Sequence, residues 1–313
     1  MLRIQLRRLM TLPRRWAAVC LGIILAACAP ILGPAQAQGN GALTQTQIRE
    51  LMARVAAQQH RNDDALTLYE RREHRVARRR EEDTAASEDK LFRVVPTGTG
   101  TLKLLLAERG KAVSSAYYRE QLRHLEQVLV WALEPGESKQ RGRVQKFERR
   151  NKERYETVEA AKNAFNCSWL GREERSGVAL VKLQCEPNPA FEPATRAQEM
   201  FMHARAVLWI EPREAQLVRV EADTTRDVSI GGGMIGKIYK GGRFVMEQER
   251  VANGTYLPTL FRYDVKGRKF VFGFELHESI SITQYQSIGP PAEALAAIRR
   301  ELNGAQASLI LQP

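Results

Sequence analysis

The 313-residue sequence contains no Cys-x-x-Cys, no His-x-x-x-His and no Gly-x-Ser-x-Gly. These absences remove the common zinc spacings, the thiol redox pair and the strand–turn–helix nucleophile of the α/β-hydrolases. Its five histidines (His60, His74, His124, His203, His277) are scattered, and neither a metal site nor a cofactor is expected. Ser87-Glu-Asp-Lys90 has the form of a Ser-x-x-Lys nucleophile pair, but its companion motifs are missing, so no catalytic residue is expected. Gly231-Gly-Gly-Met-Ile-Gly-Lys237 has the spacing of a phosphate-binding loop, yet Ile238 stands where the metal-binding Ser or Thr is needed. We expect no nucleotide, and read those glycines as a bulge that bends a strand. No nucleic-acid motif accompanies the basic charge, so nucleic acid is not an expected partner either.

Long apolar runs are scarce as well. Trp16-Ala-Ala-Val-Cys-Leu-Gly-Ile-Ile-Leu-Ala-Ala27 follows an arginine-rich start and is too short to span a bilayer, which reads as an export signal over residues 1–37. Ala35-Gln-Ala37 suits ordinary cleavage, whereas Leu25-Ala-Ala-Cys28 resembles a lipobox that would end the signal at residue 27 and lipidate Cys28. An uncleaved anchor is the third reading. The first two place the protein in a bacterial periplasm, released or tied to the outer membrane. Formal net charge is +12, and +7 once Arg3, Arg7, Arg8, Arg14 and Arg15 leave with the signal. That balance favours anionic partners such as a membrane surface.

What is present is a set of half-apolar strands between Phe201 and Gln286. Gly267-Arg268 reads as a two-residue hairpin loop that pairs Val265 with Phe270, Tyr263 with Phe272 and Phe261 with Phe274. Period-two alternation then puts those six on one apolar face and Arg262, Asp264 and Lys266 on the other. Asn253-Gly254 marks another hairpin, Lys240-Gly-Gly-Arg243 a turn bringing Tyr239 near Phe244, and Glu214-Ala215 a further break between strands. Successive hairpins give an antiparallel meander with one face to be covered by helices or by a ligand. The fold class is α+β, and residues 38–313 are expected to form a single domain.

Covers are available. Thr44-Gln-Thr-Gln47 forms a capping box ahead of Ile48, Leu51, Met52, Val55 and Ala56, on a helix ending near Asn62-Asp63. Ser115 caps a second helix with Tyr118, Leu122, Leu125 and Leu129 on one face, ending by Gly136. Pro290-Pro291 opens a third, bearing Leu295, Ile298 and Leu302 and closed by Asn303-Gly304. Lys90–Val95 and Thr101–Leu106 are two more strands. The charged stretch Leu66 to Glu82 is compatible with helix or strand, and it reads as a solvated face or an anion-binding surface. Ser138 to Glu156 reads as a solvated connector or a membrane-surface patch. Cys167 and Cys185 are equidistant from Ser176, and a three-residue loop at Arg175-Ser176-Gly177 makes them a non-hydrogen-bonded cross-strand pair able to form a disulfide, with two unpaired thiols as the alternative.

Phe165-Asn-Cys-Ser-Trp-Leu-Gly171, Pro189-Ala-Phe-Glu-Pro193, Leu208-Trp-Ile210, Phe244-Val-Met-Glu-Gln248, Tyr256-Leu-Pro258 and Gly267-Arg268 carry a resemblance. The span from Asn166 to Ile288 resembles uncharacterised secreted bacterial proteins, frequent in acidobacteria, that are related to outer-membrane lipoprotein-sorting proteins. The resemblance implies a curved, half-open β-barrel around amphipathic helices with a greasy cavity, and relatives that carry lipids or lipoproteins or sense unfolded envelope proteins. The expected function is therefore non-enzymatic binding of a lipid or lipoprotein acyl chain, with Phe261, Tyr263, Phe270, Phe272 and Phe274 as the candidate ligand surface. The alternatives are an envelope protein that binds a partner protein, for which those aromatics are core, and a hydrolase built on Ser87 and Lys90.

Overall fold

The computed structural model describes residues 41–304 apart from 135–137, 231–235, 252–253 and 271. The signal segment, Cys28, Asn253 and most of the glycine run at 231–237 therefore lie outside the described residues. The chain divides into two compact units, one made of residues up to Gln59 with Arg150–Leu217, the other of His60–Arg149 with the residues from Val218 on.

In the first unit, α1 (Gln45–Leu66) starts as the capping box requires. The Thr44 amide donates to Gln47 Oε1 at 2.9 Å, and the Gln47 amide donates to Thr44 Oγ1 at 3.3 Å. Ile48, Leu51, Val55 and Ala56 are buried at helical spacing, and the residues of α1 from His60 on belong to the second unit. A further helix, named α3 below (Ser138–Ala164), runs from the second unit into the first. It leads into β5 (Phe165–Arg175), β6 (Val178–Pro187) and, after the short helix α4 (Arg196–Glu199) and a 3-10 turn, β7 (Ala204–Glu211). β6 pairs antiparallel with both β5 and β7. Phe165, Phe191 and Phe201 cluster beside these strands, with ring centroids 5.4 and 6.4 Å apart.

The β5–β6 hairpin corrects the expected loop. Ser176 and Gly177 both have positive φ (51° and 76°), so the turn has two residues and Arg175 faces Val178. A bulge between Trp169 and Gly171 takes up the odd residue, and Gly171 faces Lys182 rather than Val181. Beyond the bulge the two differences cancel. Cys167 faces Cys185 as expected, and they are joined in a disulfide with Cα atoms 4.0 Å apart.

The second unit holds a large antiparallel sheet that is not closed into a barrel. Its strands are β1 (Tyr69–Arg78), β2 (Glu88–Pro96), β3 (Thr101–Glu108), β4 (Lys111–Ala112), β8 (Gln216–Thr224), β11 (Arg243–Arg250), β12 (Tyr256–Lys269) and β13 (Phe272–Ser287). They lie in the order β4-β3-β2-β1-β13-β12-β11-β8. Two short strands, β9 (Val228–Ile230) and β10 (Gly236–Ile238), pair with each other, and β10 also pairs with the far end of β12. β10 and β11 do not form the expected hairpin through Lys240–Arg243; both pair with β12, at Gly267–Lys269 and Tyr256–Asp264 respectively.

The β12–β13 register also differs from expectation. Gly267 lies inside β12 opposite Phe274, Phe261 faces Ile280, and Tyr263 faces Glu278. The chain reverses instead at Phe270, whose φ is 53°. A Cβ on Gly267 would come within 2.4 Å of the Lys237 carbonyl oxygen and 2.9 Å of the Phe274 ring, so this glycine permits close approach rather than a turn. Parity is unchanged, so Phe261, Tyr263, Val265, Phe272 and Phe274 still share a face.

Helices α2 (Ser115–Leu133) and α5 (Pro291–Asn303) cover the other end of this sheet. Ser114, one residue earlier than expected, is the N-cap of α2, accepting from the Tyr117 amide at 3.2 Å. Tyr118, Leu122, Leu125 and Leu129 pack with Val95, Leu104, Leu106, Ala294, Leu295 and Ile298 in one core. Within this core sits a charged knot: Arg93 donates to Glu301 at 2.7 Å, Glu70 at 2.9 Å and the Tyr118 hydroxyl at 2.9 Å. Burial disfavours the Arg93 charge, but Tyr118, Glu70 and Glu301 outweigh it and raise its pKa; burial first of all pushes the Tyr118 hydroxyl up to about 12. Charged β1 is neither wholly solvated nor an open anion surface. Glu73, 5% exposed, pairs with Lys103 and with Arg71 at 2.9 Å. Burial opposes its ionisation, yet the two cations hold its carboxyl below the ordinary value.

Replacing Arg93 by Met would strand Glu70 and Glu301 as buried like charges. We expect a loss of about 3–5 kcal/mol in denaturant unfolding, recovered in large part when both glutamates are also made Gln.

Candidate functional site

The cavity to consider first is in the first unit. About 380 Å³ lies between the N-terminal turns of α1, the C-terminal end of α3 and the start of β5. Ile48, Ala161 and Phe165 are buried and form its apolar floor, with Met52 half-buried beside them. At the rim, Gln45, Arg49, Asn163 and Asn166 are exposed, and Lys162, paired with Glu159, lies on the same side of α3. The wall is braced in two ways. Asn188 donates through Nδ2 to the Asn163 carbonyl at 2.7 Å and through its backbone to the Ala164 carbonyl at 2.8 Å. Cys167, which also lines the cavity, is tied to β6 by the disulfide. An apolar floor under a rim with two cations and several amides can take a chain-like apolar group bearing an anionic or polar end.

The expected aromatic surface is distributed differently. Tyr263 is buried against Phe244 (ring centroids 5.2 Å), and half-buried Phe261 stacks on Phe244 at 6.4 Å. These rings pack with Met246, Val220 and Ala222, their neighbours in register. Phe274 lies over Gly267. Phe270 and Phe272 are 53% and 69% exposed at the hairpin tip. Phe272 faces Lys269, eight residues along β12 from Phe261 and hence roughly 27 Å away. Phe261, Tyr263, Phe272 and Phe274 therefore share a face but do not converge, and Phe270 lies in the turn.

Ser87 Oγ donates to the Ala77 carbonyl at 3.0 Å, while Lys90 pairs with Glu88 and Glu108 at 3.7 and 3.6 Å. That arrangement does not bring the two together as a nucleophile and base. His277 is buried, 7% exposed. Its Nδ1 lies 3.0 Å from Asp264 and its Nε2 3.2 Å from Glu275, which also holds Lys266 at 3.3 Å. With a carboxylate at each ring nitrogen, neither is left to take a proton from a substrate. Burial opposes protonation, but the hydrogen bonds to Asp264 and Glu275 outweigh it and raise the His277 pKa. Among the described residues, no group of three or more His, Cys, Asp or Glu side chains is placed to hold a metal ion, and no helix is long and apolar enough to cross a membrane.

Sequence reasoning identified Ile48 and Met52 as one helix face and Cys167 as a bonded cysteine. It missed the rim residues Arg49, Lys162, Asn163 and Asn166. Polar residues at helix ends are ordinary, and only the packing of α1 on the end of α3 brings them together.

No family model matches the sequence, and no curated protein matches it. Solved structures to which the chain is similar include a LolA-superfamily protein from Nitrosomonas europaea, at 7% identity and a TM-score of 0.26, covering 72% of this chain and 89% of that one. A domain assigned as an outer-membrane lipoprotein-sorting protein from Vibrio parahaemolyticus is 11% identical with a TM-score of 0.25, covering 70% and 84%. A DUF1329-family protein from Desulfovibrio piger is 12% identical with a TM-score of 0.24, covering 74% and 90%. At such scores the likeness carries no argument about ligand or activity.

Two measurements probe these sites. Replacing Cys167 and Cys185 together by Ala is expected to cost about 3 kcal/mol, for a bridge spanning 18 residues, in thermal or denaturant unfolding. For His277, a raised pKa means that the folded state binds the proton more tightly than the unfolded chain. Its contribution is complete below the ordinary value of 6.5 and fades as pH rises through the higher folded value. Unfolding midpoints measured against pH should fall across that window, and His277→Gln should flatten the fall.

Proposed function

We propose that the protein is a non-enzymatic binding protein of the bacterial cell envelope that holds the acyl chain of a lipid or lipoprotein in the α1–α3–β5 cavity. The observation that carries this reading is the cavity's polarity: an apolar floor of Ile48, Ala161 and Phe165 beneath a rim bearing exposed Arg49, with Lys162 held by Glu159. Its volume, about 380 Å³, falls near the lower end of the roughly 300–1,000 Å³ of small-ligand sites. One chain suits that space better than several. The cationic rim favours an anionic end group, since a charge at the mouth of a low-dielectric cleft acts more strongly than in bulk water. Export, read from the N-terminal sequence, would place the protein where such lipids are met. The packed Phe244–Phe261–Tyr263 face serves the sheet's stability in this reading.

The test is native and denaturing mass spectrometry of the full-length chain expressed with its signal in a bacterial envelope, followed by titration with palmitate. A lipid adduct seen only under native conditions is expected. Arg49→Glu at the rim and Met52→Trp on the wall should each weaken palmitate binding by about tenfold, while leaving the melting temperature nearly unchanged. Absence of an adduct together with no palmitate binding would overturn the reading in favour of a partner-protein role.

A further inference from the structure

The cavity leaves a group of exposed aromatics at one end of the sheet unexplained. Phe270 and Phe272 stand at the β12–β13 tip, 53% and 69% exposed, and Tyr239 is 40% exposed on the segment after β10. The Tyr239 amide donates to the Lys266 carbonyl at 2.9 Å, so all three belong to one end of the sheet. Isolated exposed apolar residues are ordinary; two exposed phenylalanines two positions apart at a hairpin reversal are not. Phe270 also adopts the left-handed conformation, where glycine or asparagine would be free of strain. A bulky aromatic is kept there at a conformational cost.

The charge around the tip has one dominant sign. Lys237 faces Arg268 across β10 and β12, Lys269 faces Phe272, and Lys266 and Lys240 lie nearby. Two carboxylates answer them: Asp227 accepts from Lys237 at 2.7 Å and from the Lys240 backbone at 2.8 Å, and Glu275 holds Lys266 at 3.3 Å. Arg268 donates to the Phe270 carbonyl at 2.8 Å, bracing the turn. Five basic side chains against two acidic ones leave the tip cationic. Aromatic rings at the end of a hairpin, set among lysines and arginine, match the interface of an anionic bilayer. Phe rings enter the boundary between headgroups and acyl chains, while the basic groups stay among lipid phosphates.

We infer that the β12–β13 tip is a docking surface for an anionic lipid bilayer, with Phe270 and Phe272 as the inserting side chains and Lys266, Arg268 and Lys269 as the electrostatic contacts. This contact is independent of the cavity and stands whether or not an acyl chain binds there. It differs from the long basic helix α3, whose sequence suggested a membrane patch but on which, among the described residues, Tyr155 is the one exposed large apolar side chain, with no second beside it.

The experiment uses the full-length protein and vesicles of phosphatidylcholine with or without phosphatidylglycerol. In Phe272→Trp, vesicles carrying brominated phospholipid should quench emission beyond the quenching seen in the unsubstituted protein. The extra quenching should appear on anionic vesicles and diminish at high salt and on neutral vesicles. The Phe270→Ser/Phe272→Ser double variant should keep its melting temperature and sediment with anionic vesicles roughly tenfold more weakly. No extra quenching at position 272, equal binding to neutral vesicles, or unchanged sedimentation of the double variant would each overturn the inference. So would a vesicle-free dimer that the double variant turns into a monomer, which would make the tip a contact between copies of the chain.

Discussion

Pairing of β13 with β1 on one side and β12 on the other is the constraint on which the second unit depends. Tyr69 meets Ser287, more than two hundred residues away in sequence, and the ladder runs on to Arg78 and His277. Closing so long a loop is costly in chain entropy, and contacts that depend on it form late. Once formed, it makes two hairpin systems into one sheet: β4-β3-β2-β1 on one side, β12-β11-β8 on the other. The helices α2 and α5, far apart in the chain, then have one surface to share. Gly98, with φ of +74°, completes that arrangement, since a Cβ there would come within 2.5 Å of the Pro291 ring that begins α5.

The same ladder explains why strongly charged strands can sit inside a protein. β1 is rich in Arg and Glu, and alternation must send half of them toward the apolar face. Glu73 meets Arg71 and Lys103 there, and Arg75 donates to Glu278 at 3.2 Å. On the other face, Glu70 reaches Arg93 beneath α5. Buried charge of this kind is tolerated only as complete sets, and the sets join neighbouring strands, so they specify register as well as being satisfied by it. In the first unit a shorter brace serves a similar end: the disulfide and the Asn188 hydrogen bonds keep the wall of the cavity in place.

Much of the secondary structure was legible because each element carries its own signal. Capping at Thr44, the Tyr118–Leu122–Leu125–Leu129 stripe and the apolar alternation of β12 are local patterns with local causes. The failures concern glycine. Gly267 reads as a turn, yet it is needed for the approach of Lys237 and Phe274, while the turn itself falls on Phe270, a residue no turn rule selects. Ser176-Gly177 forms a loop one residue shorter than expected, and only the bulge at Gly171 restores the cysteine pairing. The candidate site was less legible than the fold. Its floor was visible as a helix face, but its rim comes from residues more than a hundred positions apart and of types that usually mark nothing.

By itself, then, the sequence determined the α+β class, the helices with their buried faces, the two-faced strands and the cysteines that meet. Those follow from periodicity, capping and alternation, which act over a few residues. Tertiary structure alone decided which strands neighbour which, that Phe270 and Phe272 emerge at a tip while Tyr263 is buried, and that α1 and the end of α3 enclose a cavity. These are consequences of long-range register. A period-two pattern says which face a side chain takes, but not how far along the partner strand it lands.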